Sequence, residues 1–454
     1  MNPLRRFLDN FFGFTRQGTS LRTEAGAGLT TFTTLAYIVF VQPAVLSGKM
    51  FGFETGLDFG AVMTATCLAG AFATFLMGVL ANYPIAQAPG MGENFFFVFT
   101  VLAAAGNLAA VQAGETTAWQ VSLGVVFISG ALFLLLSLLK LRRVILEAIS
   151  PSLRNGIAVG IGFFISFIGL KNSGIISGDP GTLVTMNHAP DVQGLIVFGA
   201  VFLITVAFLA RGIRGAILWG ILCGLILSLI LGRTQFAGKI VAPPPSLSPT
   251  LFKMDLAHAL HPAMWSLIII FLFMDLFDTL GTLIGVGEQA GFIRNDRLPR
   301  ADRALFSDAA GTVIGAAMGT STVTSFIESV TGVAYGGRTG FTSVVTALCF
   351  LGALFFSPVV GMVTSDYSLT APALVVVGAM MIRNVRKIDW SDLTEGLPAF
   401  LVMIGIPLSY SIADGIAWGF ISLPLIKLLS GRGRSVSWIV YLVGALFLAR
   451  YVFL

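Results

Sequence analysis

Long apolar runs separated by short polar segments recur along almost the whole of this chain. A helix needs about 20 mostly apolar residues to cross a membrane, and most of the runs approach or exceed that length. The pattern therefore predicts an all-α integral membrane protein with about fourteen spans and one further apolar segment. The predicted spans are 28–47, 58–80, 86–105, 119–139, 145–170, 193–210, 214–232, 263–287, 303–317, 320–335, 339–363, 368–382, 394–409 and 412–430, followed by the segment 436–453.

The basic residues support the order of these spans. When the loops are assigned alternately to two sides, with the N-terminus inside, 21 of the 27 Lys and Arg residues fall inside and five outside. Cytoplasmic loops carry such an excess of Lys and Arg. The formal net charge of +5 therefore reflects cytoplasmic loops and does not indicate nucleic-acid binding. We expect a multi-pass protein of the inner (cytoplasmic) membrane, with the lipid bilayer as its partner.

Seven spans followed by seven more place the second half of the chain upside down relative to the first. This is the arrangement of inverted-repeat transporters. The last apolar segment either spans the membrane or lies along its inner surface. The predicted divisions are a cytoplasmic amphipathic segment (1–27), a first seven-span repeat (28–232), an extracellular loop (233–262), a second seven-span repeat (263–435) and a C-terminal hydrophobic segment (436–454).

The N-terminal segment is charged and aromatic, and it lacks the long apolar core of a signal peptide. Such a composition predicts an amphipathic helix that lies on the inner membrane surface. The side chains expected to face lipid are Leu4, Phe7, Phe11, Phe12 and Phe14.

Spans three and ten are weak as helices. AQAPGMG in the third run and GTSTVTS in the tenth are rich in Gly, Pro, Ser and Thr, and a glutamate follows each, Glu93 and Glu328. Both segments fall third in their half, and paired broken segments at matching positions indicate a binding site near the membrane midplane. We expect two short extended segments that line this site. The alternative is that Pro and Gly only kink these helices for packing.

Four acidic residues, Asp275, Asp278, Asp308 and Glu328, lie inside apolar runs. An ionised carboxylate at the bilayer centre costs at least about 2.5–3.5 kcal/mol, and such residues normally face a protein-lined cavity. Asp275 and Asp278 are three positions apart and share nearly one helix face. Such a pair is suited to take up a proton on one side of the membrane and release it on the other. The alternative is a structural aspartate that neighbouring threonine hydroxyls satisfy.

No motif of a soluble enzyme is present. The chain contains no GxxxxGK[ST] loop and no HExxH pair, and its three cysteines have neither metal-site nor disulfide spacing. We therefore expect a protein that is not an enzyme and that needs no cofactor or metal. An intramembrane aspartyl hydrolase is the alternative from another class, and it would need two facing aspartates and a path for water.

Several motifs occur together in this chain and cover nearly all of it. In order, they are TEAGAGLTTFTTLAYIVFVQP, QAPGMGENFFF, DLFDTLGTLIG, SDAAGT, GTSTVTSFIESVTGV and PALVVVGAMM. They resemble the nucleobase–cation symporter family 2, also called the nucleobase–ascorbate transporter family, and most of all its AzgA-like branch of purine permeases. The resemblance implies a core and a gate domain, short strands in spans three and ten, and proton-coupled import of adenine, guanine or hypoxanthine. It is also compatible with a homodimer.

The resemblance further implies four residues of a substrate site. Asp278 matches the acidic residue of span eight that hydrogen-bonds the base, and Glu328 matches the span-ten residue that binds the opposite edge. Phe95 matches an aromatic residue beside the ring, and Thr34 matches a small residue under it.

The resemblance implies a proton-coupling group as well. Asp308 matches the span-nine acidic residue linked to the transport mechanism, and Asp275 and Asp278 complete the group. Glu93 and Asn94 in span three are further site candidates. The alternatives within transport are a uracil or xanthine permease and an anion carrier of the same architecture. An anion carrier should place a basic residue at the broken segments, where the sequence has carboxylates.

Overall fold

The computed structural model describes residues 3–139, 149–293 and 298–453, and it is mostly helical. The start of the fifth predicted span, 145–148, and the side chain of Leu4 lie outside the described residues. Helices of the first half are α1 (Pro3–Phe12), α2 (Leu21–Leu35), α3 (Ile38–Leu46), α4 (Phe59–Leu76), α5 (Met91–Phe96), α6 (Leu102–Gly106), α7 (Ala109–Gln112), α8 (Ala118–Leu138), α9 (Pro151–Asn172), α10 (Val192–Ala210) and α11 (Ala216–Ile230). Those that follow are α12 (Leu256–Ala259), α13 (Pro262–Gln289), α14 (Ala301–Met318), α15 (Ser329–Tyr335), α16 (Gly340–Ala353), α17 (Ser357–Thr364), α18 (Tyr367–Met381), α19 (Leu393–Ser409), α20 (Ile412–Leu429) and α21 (Trp438–Phe453).

Many of these helices can cross a membrane. Within the described ranges, nine helical segments are long and apolar enough by length and composition, and four shorter apolar helices accompany them. The apolar pattern of the sequence is thus confirmed as that of a helical, multi-pass membrane protein. The nine segments are Leu21–Leu46, Phe59–Ala81, Ala118–Leu138, Pro151–Asn172, Val192–Ala210, Pro262–Gln289, Gly340–Thr364, Tyr367–Lys387 and Ile412–Leu429.

The helices pack in two sets. In the first set, α2 packs against α16, α4 packs against α14 and α16, and α8 packs against α14. In the second, α9 packs against α18 and α19, α10 against α11 and α18, and α19 against α20. Small residues allow the closest approach, as is usual between membrane helices. A Cβ on Gly162 of α9 would lie 2.8 Å from the carbonyl oxygen of Gly378 on α18.

Two short strands lie where the sequence predicts broken spans. β1 (Gln87–Pro89) precedes α5, and β4 (Val323–Ser325) precedes α15. The strands pair antiparallel, with Ala88 opposite Thr324. The prediction of short strands in spans three and ten is therefore confirmed.

Threonine hydroxyls complete the outer edges of this strand pair. Thr74 of α4 donates to the carbonyl oxygen of Gln87 and accepts from its N–H, both at 2.8 Å. Thr312 of α14 donates to the carbonyl oxygen of Val323 at 3.1 Å and accepts from its N–H at 3.0 Å. Backbone polar groups at membrane depth must find partners within the protein. Here hydroxyls from two packed helices take the place of further strands.

A second strand pair occurs outside the apolar spans. β2 (Ile176–Asp179) and β3 (Leu183–Met186) form an antiparallel hairpin between α9 and α10. The sequence analysis made no prediction of strands in this loop. Asp179 Oδ1 accepts hydrogen bonds from the N–H groups of Thr182 and Gly181, both at 2.8 Å, and so holds the turn. The same bonds keep the pKa of the Asp179 carboxyl below its usual value.

The N-terminal helix agrees only in part with the sequence prediction. Phe7 and Phe11 of α1 are 64% and 49% exposed, as a membrane-surface helix requires. The prediction that Phe12 and Phe14 face lipid is wrong, because both side chains are buried. Their rings contact Phe341 edge-on at centroid distances of 5.5 and 5.6 Å. The end of α1 is therefore held against the body of the protein.

Candidate functional site

Five acidic side chains gather at the β1–β4 strand pair. Asp275 and Asp278 come from α13, Asp308 from α14, Glu93 from the first turn of α5, and Glu328 from the position before α15. Their charges are close enough to interact, and Asp278 neighbours Glu93, Asp308 and Glu328. The structure thus brings together the four acidic residues that the sequence places inside apolar runs, and adds Glu93 to them.

The five acidic side chains fall into an accessible group and a buried group. Asp278 is exposed and Glu328 is half-buried. Asp275 and Asp308 are fully buried, and Glu93 is nearly so. Only the first two can readily meet a ligand, whereas the others face the protein. Among the described residues, no group of three or more His, Cys, Asp and Glu side chains is arranged to hold a metal ion.

One hydroxyl group holds each of the two accessible carboxylates. Thr324 Oγ1 donates to Asp278 Oδ2 at 3.1 Å, and the Tyr37 hydroxyl donates to Glu328 Oε1 at 2.9 Å. The second oxygen of each carboxylate receives no hydrogen bond from the side chain of another described residue. Two such oxygens at one site can accept N–H groups from different edges of a planar ligand.

One face of α13 is exposed from Asp278 onwards. Gly281, Ile284 and Glu288 follow Asp278 at helical spacing, and all three are exposed. A Cβ on Gly281 would meet no atom of another segment within 4 Å. This exposed face leads to Gln289, the end of α13 that the basic residues of the sequence assign to the cytoplasm.

Asp275 and Asp308 form a buried pair between α13 and α14. Asp308 Oδ1 accepts hydrogen bonds from Gln87 Nε2 at 2.7 Å and from Thr279 Oγ1 at 2.5 Å. Asp275 Oδ2 lies 2.9 Å from Thr312 Oγ1, whose single proton it shares with the Val323 carbonyl oxygen. The remaining oxygens of the pair have no donor among the described residues. The two carboxyl groups lie within hydrogen-bonding range of each other. One proton between them would satisfy both free oxygens.

Two further sequence candidates, Thr34 and Asn94, make contacts between helices. Thr34 Oγ1 lies 3.1 Å from Thr331 Oγ1 and so joins α2 to α15. Asn94 is fully buried, and its Nδ2 donates to Gln42 Oε1 at 2.7 Å. The Nε2 of Gln42 in turn donates to Ser321 Oγ at 2.8 Å. Asn94 thus supports the broken segments from behind.

The structure places Phe95 in a cluster of aromatic rings. Its side chain is fully buried, and its centroid lies 6.0 Å from that of Phe51, 6.3 Å from Phe99 and 6.4 Å from Phe164. This cluster joins α5 of the first helix set to α9 of the second. Among the described contacts, none joins the Phe95 ring to the two accessible carboxylates.

The sequence analysis missed two residues at this site. Tyr37 and Thr324 orient the accessible carboxylates. Thr324 lies within the broken segment of span ten, and its position there was a signal that could have identified it. Tyr37 follows the end of α2, and nothing in the sequence indicates that it contacts Glu328.

Comparisons with known proteins identify the family of this chain. Residues 22–417 match the sequence profile Xan_ur_permease, described as a permease family. The chain is 43% identical to the guanine/hypoxanthine permease PbuG of Bacillus subtilis (strain 168), over 98% of this chain and all of that protein. It is 40% identical to the adenine permease AdeP of Escherichia coli (strain K12), over 98% of this chain and 96% of that protein.

A solved structure shares the fold at low sequence identity. The transmembrane domain of the cyanobacterial bicarbonate transporter BicA aligns with a TM-score of 0.65 at 14% identity, over 87% of this chain and 97% of that domain. This similarity shows a membrane-transporter architecture and does not bear on substrate.

The family profile and the relatives together cover nearly the whole chain. The protein is therefore a multi-pass permease of the cytoplasmic membrane and not an enzyme. It belongs to the permease family that its motifs resemble, the nucleobase–ascorbate transporters.

Proposed function

We propose that this permease imports a purine nucleobase (adenine, guanine or hypoxanthine) together with protons. Two relatives of nearly equal length are a guanine/hypoxanthine permease and an adenine permease. The observation that carries the proposal is the pair of accessible carboxylates, Asp278 and Glu328, beside the strand pair. A purine presents N–H groups on more than one edge, and each carboxylate has an oxygen available to accept one.

In the proposed complex, the base lies between the two broken segments. Asp278 binds one edge of the ring and Glu328 the other, while Tyr37 holds the Glu328 side chain in place. Thr34 lies under the ring. Phe95 belongs to the wall beside it, and the Phe95 ring cluster transmits any movement of that wall to α9.

Proton coupling has a physical route in the same proposal. Thr324 donates to Asp278, Thr279 donates to Asp308, and the two hydroxyl oxygens lie 3.0 Å apart. Each hydroxyl has only one proton to donate. If the Thr279 or Thr324 hydroxyl turns to donate to the other threonine, the carboxylate to which it donated loses that hydrogen bond. A proton gained by the Asp275–Asp308 pair can therefore change the hydrogen bonding of Asp278.

We also propose the finer architecture that the sequence predicts. Fourteen spans would form two inverted repeats (28–232 and 263–435), and the two helix sets would be the core and the gate. The antiparallel pairing of β1 and β4 supports this, since inverted halves run in opposite directions. The cytoplasmic amphipathic segment 1–27, the extracellular loop 233–262 and the C-terminal hydrophobic segment 436–454 complete the proposal. A homodimer is part of it, to be checked by cross-linking in the membrane.

Uptake into proteoliposomes tests the proposed function. Radiolabelled hypoxanthine should accumulate above its external concentration when the outside is acidic relative to the lumen, and a protonophore should abolish the accumulation. Unlabelled adenine and guanine should compete with the labelled base. Competition by uracil or xanthine alone would favour the alternative specificity instead.

Two variants separate binding from coupling in this assay. Asp278→Asn should abolish uphill accumulation while the protein still reaches the membrane, because removing a charge inside the membrane does not impair insertion. Glu115→Gln, an exposed glutamate in the loop after α7, serves as the matched control and should behave as wild type. Normal uphill uptake by Asp278→Asn would contradict the assigned role, and base exchange without any pH dependence would contradict proton coupling.

A further inference from the structure

A cavity lies at the end of the protein that the basic residues assign to the cytoplasm, and none of the five acidic residues of the carboxylate site lines it. Its volume is about 520 Å³, within the range of about 300–1,000 Å³ typical of small-molecule sites. The walls come from four places in the chain: the end of α1 and the turn after it, the segment between α4 and β1, the segment after α13, and the start of α14. Arg338, between α15 and α16, completes the lining.

The charged side chains that line this cavity are all basic among the described residues. Arg16, Arg300 and Arg338 line it, and no Asp or Glu is among its described lining residues. Among the described residues, none of the three has a carboxylate partner. Uncompensated guanidinium groups around a concave surface raise the local concentration of anions.

The structure shows what holds two of these guanidinium groups. Arg338 Nη1 donates to the carbonyl oxygens of Val333 at 2.6 Å and Gly337 at 2.7 Å, so neutral backbone groups fix its position. Nearby Glu24 accepts from the backbone N–H of Arg338 at 2.8 Å and leaves the guanidinium free of a carboxylate. The Arg300 guanidinium lies 4.5 Å from the Tyr83 ring centroid.

Neighbouring groups also cover the Tyr83 ring, which leaves little for a base to stack on. Tyr83 is fully buried, and the Phe292 ring stacks on it at a centroid distance of 5.3 Å, with Arg300 also against the ring. Recognition in this cavity must therefore depend on the anionic group. Arginine forks match phosphate oxygens with paired hydrogen bonds, better than they match a spherical ion.

We propose that the cavity between the end of α1 and the start of α14 binds the phosphate group of a phosphate ester, through Arg16, Arg300 and Arg338. Two sources share this chemistry, a soluble nucleotide and the headgroup of an anionic phospholipid. The first fits the cavity volume, and the second fits the exposed Phe7 and Phe11 on the adjoining helix. None of the residues that the previous section proposes to bind the base lines this cavity, and the test of the proposal does not depend on transport.

Binding to the purified full-length protein in detergent is the first measurement. Guanosine 5′-monophosphate and inorganic phosphate should each bind saturably, and binding should weaken as salt is raised because the attraction is electrostatic. The double variant Arg16→Gln/Arg300→Gln should bind guanosine 5′-monophosphate at least about tenfold more weakly. Arg383→Gln/Arg434→Gln removes the same charge from exposed residues outside the cavity and should bind as wild type.

The single variant Arg16→Gln keeps the test informative if the double variant fails to fold. Arg16 is exposed and makes no hydrogen bond or ion pair among the described residues, so its loss should weaken binding without lowering the melting temperature. Equal binding by the cavity variants and the control pair would overturn the proposal. Absence of saturable binding by both probes, in detergent and in nanodiscs of neutral phosphatidylcholine, would overturn it too.

Nanodiscs also separate the two sources. If phosphatidylglycerol nanodiscs block guanosine 5′-monophosphate binding to the wild type, the lipid headgroup occupies the cavity. If the nucleotide binds equally in phosphatidylglycerol and phosphatidylcholine nanodiscs, the soluble ester is the occupant. Either result supports a phosphate site, provided that Arg16→Gln/Arg300→Gln removes the effect.

Discussion

At the scale of single residues, the accessible carboxylates differ in the hydroxyl that orients each of them. Tyr37 donates to Glu328 and Thr324 donates to Asp278. A buried acceptor left unpaired costs about 1–3 kcal/mol, and about 1.4 kcal/mol is a factor of ten in affinity. Glu328→Ala should therefore weaken binding of hypoxanthine at least about tenfold, and Tyr37→Phe should weaken it by less than that. Equilibrium binding to the purified protein measures both changes.

Whether the side chain at position 328 accepts or donates hydrogen bonds should determine which base the protein prefers. Glu328→Gln exchanges one acceptor oxygen for a donor amide, so it should change the ranking of adenine, guanine and hypoxanthine in competition. A Glu328→Gln protein with unchanged affinities and unchanged ranking would show that the base does not meet this residue. Melting temperatures of all variants serve as the control for folding.

The buried Asp275–Asp308 pair makes a separate prediction. In Asp308→Asn, the side-chain oxygen can still accept from Gln87 and Thr279, and the amide can donate permanently to Asp275. This variant imitates the pair with its proton always in place. It should still bind and exchange base across the membrane, but it should lose uphill accumulation driven by a pH gradient.

A second variant probes the route from this pair to the substrate site. Thr279→Val removes the hydroxyl that lies between Asp308 and Thr324. It should reduce accumulation more than it reduces exchange. Uphill accumulation at the wild-type level by Asp308→Asn would exclude the pair as the coupling site.

At the scale of elements, two buried threonines on α4 offer a matched comparison. Thr74 is the partner of both backbone groups of Gln87 in β1, whereas Thr66 donates only to the carbonyl of Val62 in its own helix. Both side chains are fully buried. Thr74→Val should destabilise the protein by about 1–3 kcal/mol because it leaves β1 groups unpaired at membrane depth. Thr66→Val should cost clearly less.

Thermal unfolding of the two valine variants in the same detergent measures this difference. Equal melting temperatures would mean that the strand edge finds other partners. The comparison tests the strand pair itself, because both variants change the volume and polarity of one helix in the same way.

An ion pair at the start of α18 makes stability depend on pH. Arg233 Nε donates to Asp366 Oδ2 at 2.9 Å, and Ser228 donates to the same oxygen at 2.9 Å. Burial alone would raise the pKa of the Asp366 carboxyl, but these hydrogen bonds outweigh it and lower the pKa. The unfolded pKa is about 3.9. The pair therefore stabilises the protein fully above that value, and the stabilisation is lost as pH falls through the lower folded pKa.

Melting temperatures measured between about pH 6 and pH 3 test this pair. Asp366→Asn should lower the melting temperature at pH 6 and reduce its fall in acid. In an Arg233→Gln background, Asp366→Asn should have a smaller effect, because the partner is already absent. Additive effects of the two changes would show that the residues do not interact.

How much of the elements the sequence predicts depends on the range of the interactions that fix them. Apolar length fixes the spans, and the Gly, Pro and Thr content of spans three and ten indicates β1 and β4. The β2–β3 hairpin lies in a polar loop, where the length of apolar runs carries no information, although Asp179 accepts the local hydrogen bonds of its turn. The burial of Phe12 and Phe14 could not be predicted because their partner, Phe341, is more than 300 positions away in the sequence.

The same distinction holds for the candidate site. Acidic residues in apolar runs indicate Asp275, Asp278 and Asp308, since their cost in a membrane is a property of each position. Exposure divides them, and exposure depends on packing between α13, α14 and the strands. Sequence alone therefore could not tell the accessible Asp278 from the buried pair, nor reveal the Tyr37 hydroxyl beside Glu328.

At the scale of the whole molecule, side-chain contacts join α5 and α13 to α9 of the second helix set. The Phe95 cluster joins α5 to α9, and Arg154 of α9 lies over Phe277 of α13, next to Asp278. If the sets move relative to each other during transport, these contacts must break and form again. The exposed face of α13 runs from Asp278 towards Gln289, the end of the helix that the basic residues assign to the cytoplasm.

This arrangement makes the sidedness of the molecule its most general testable property. If the basic residues indicate sidedness correctly, the β2–β3 hairpin lies outside and the turn between α20 and α21 lies inside. Met186 of the hairpin is 62% exposed, and Arg434 of the turn is exposed as well. In a background without Cys67, Cys223 and Cys349, a membrane-impermeant maleimide should label Met186→Cys in intact cells. It should label Arg434→Cys only after permeabilisation, and uptake of labelled base should confirm that both variants are folded. The reverse labelling pattern would invert the molecule. Labelling of both positions from one side would require an even number of spans between them, whereas the two seven-span repeats place nine there, so this result would exclude the repeats.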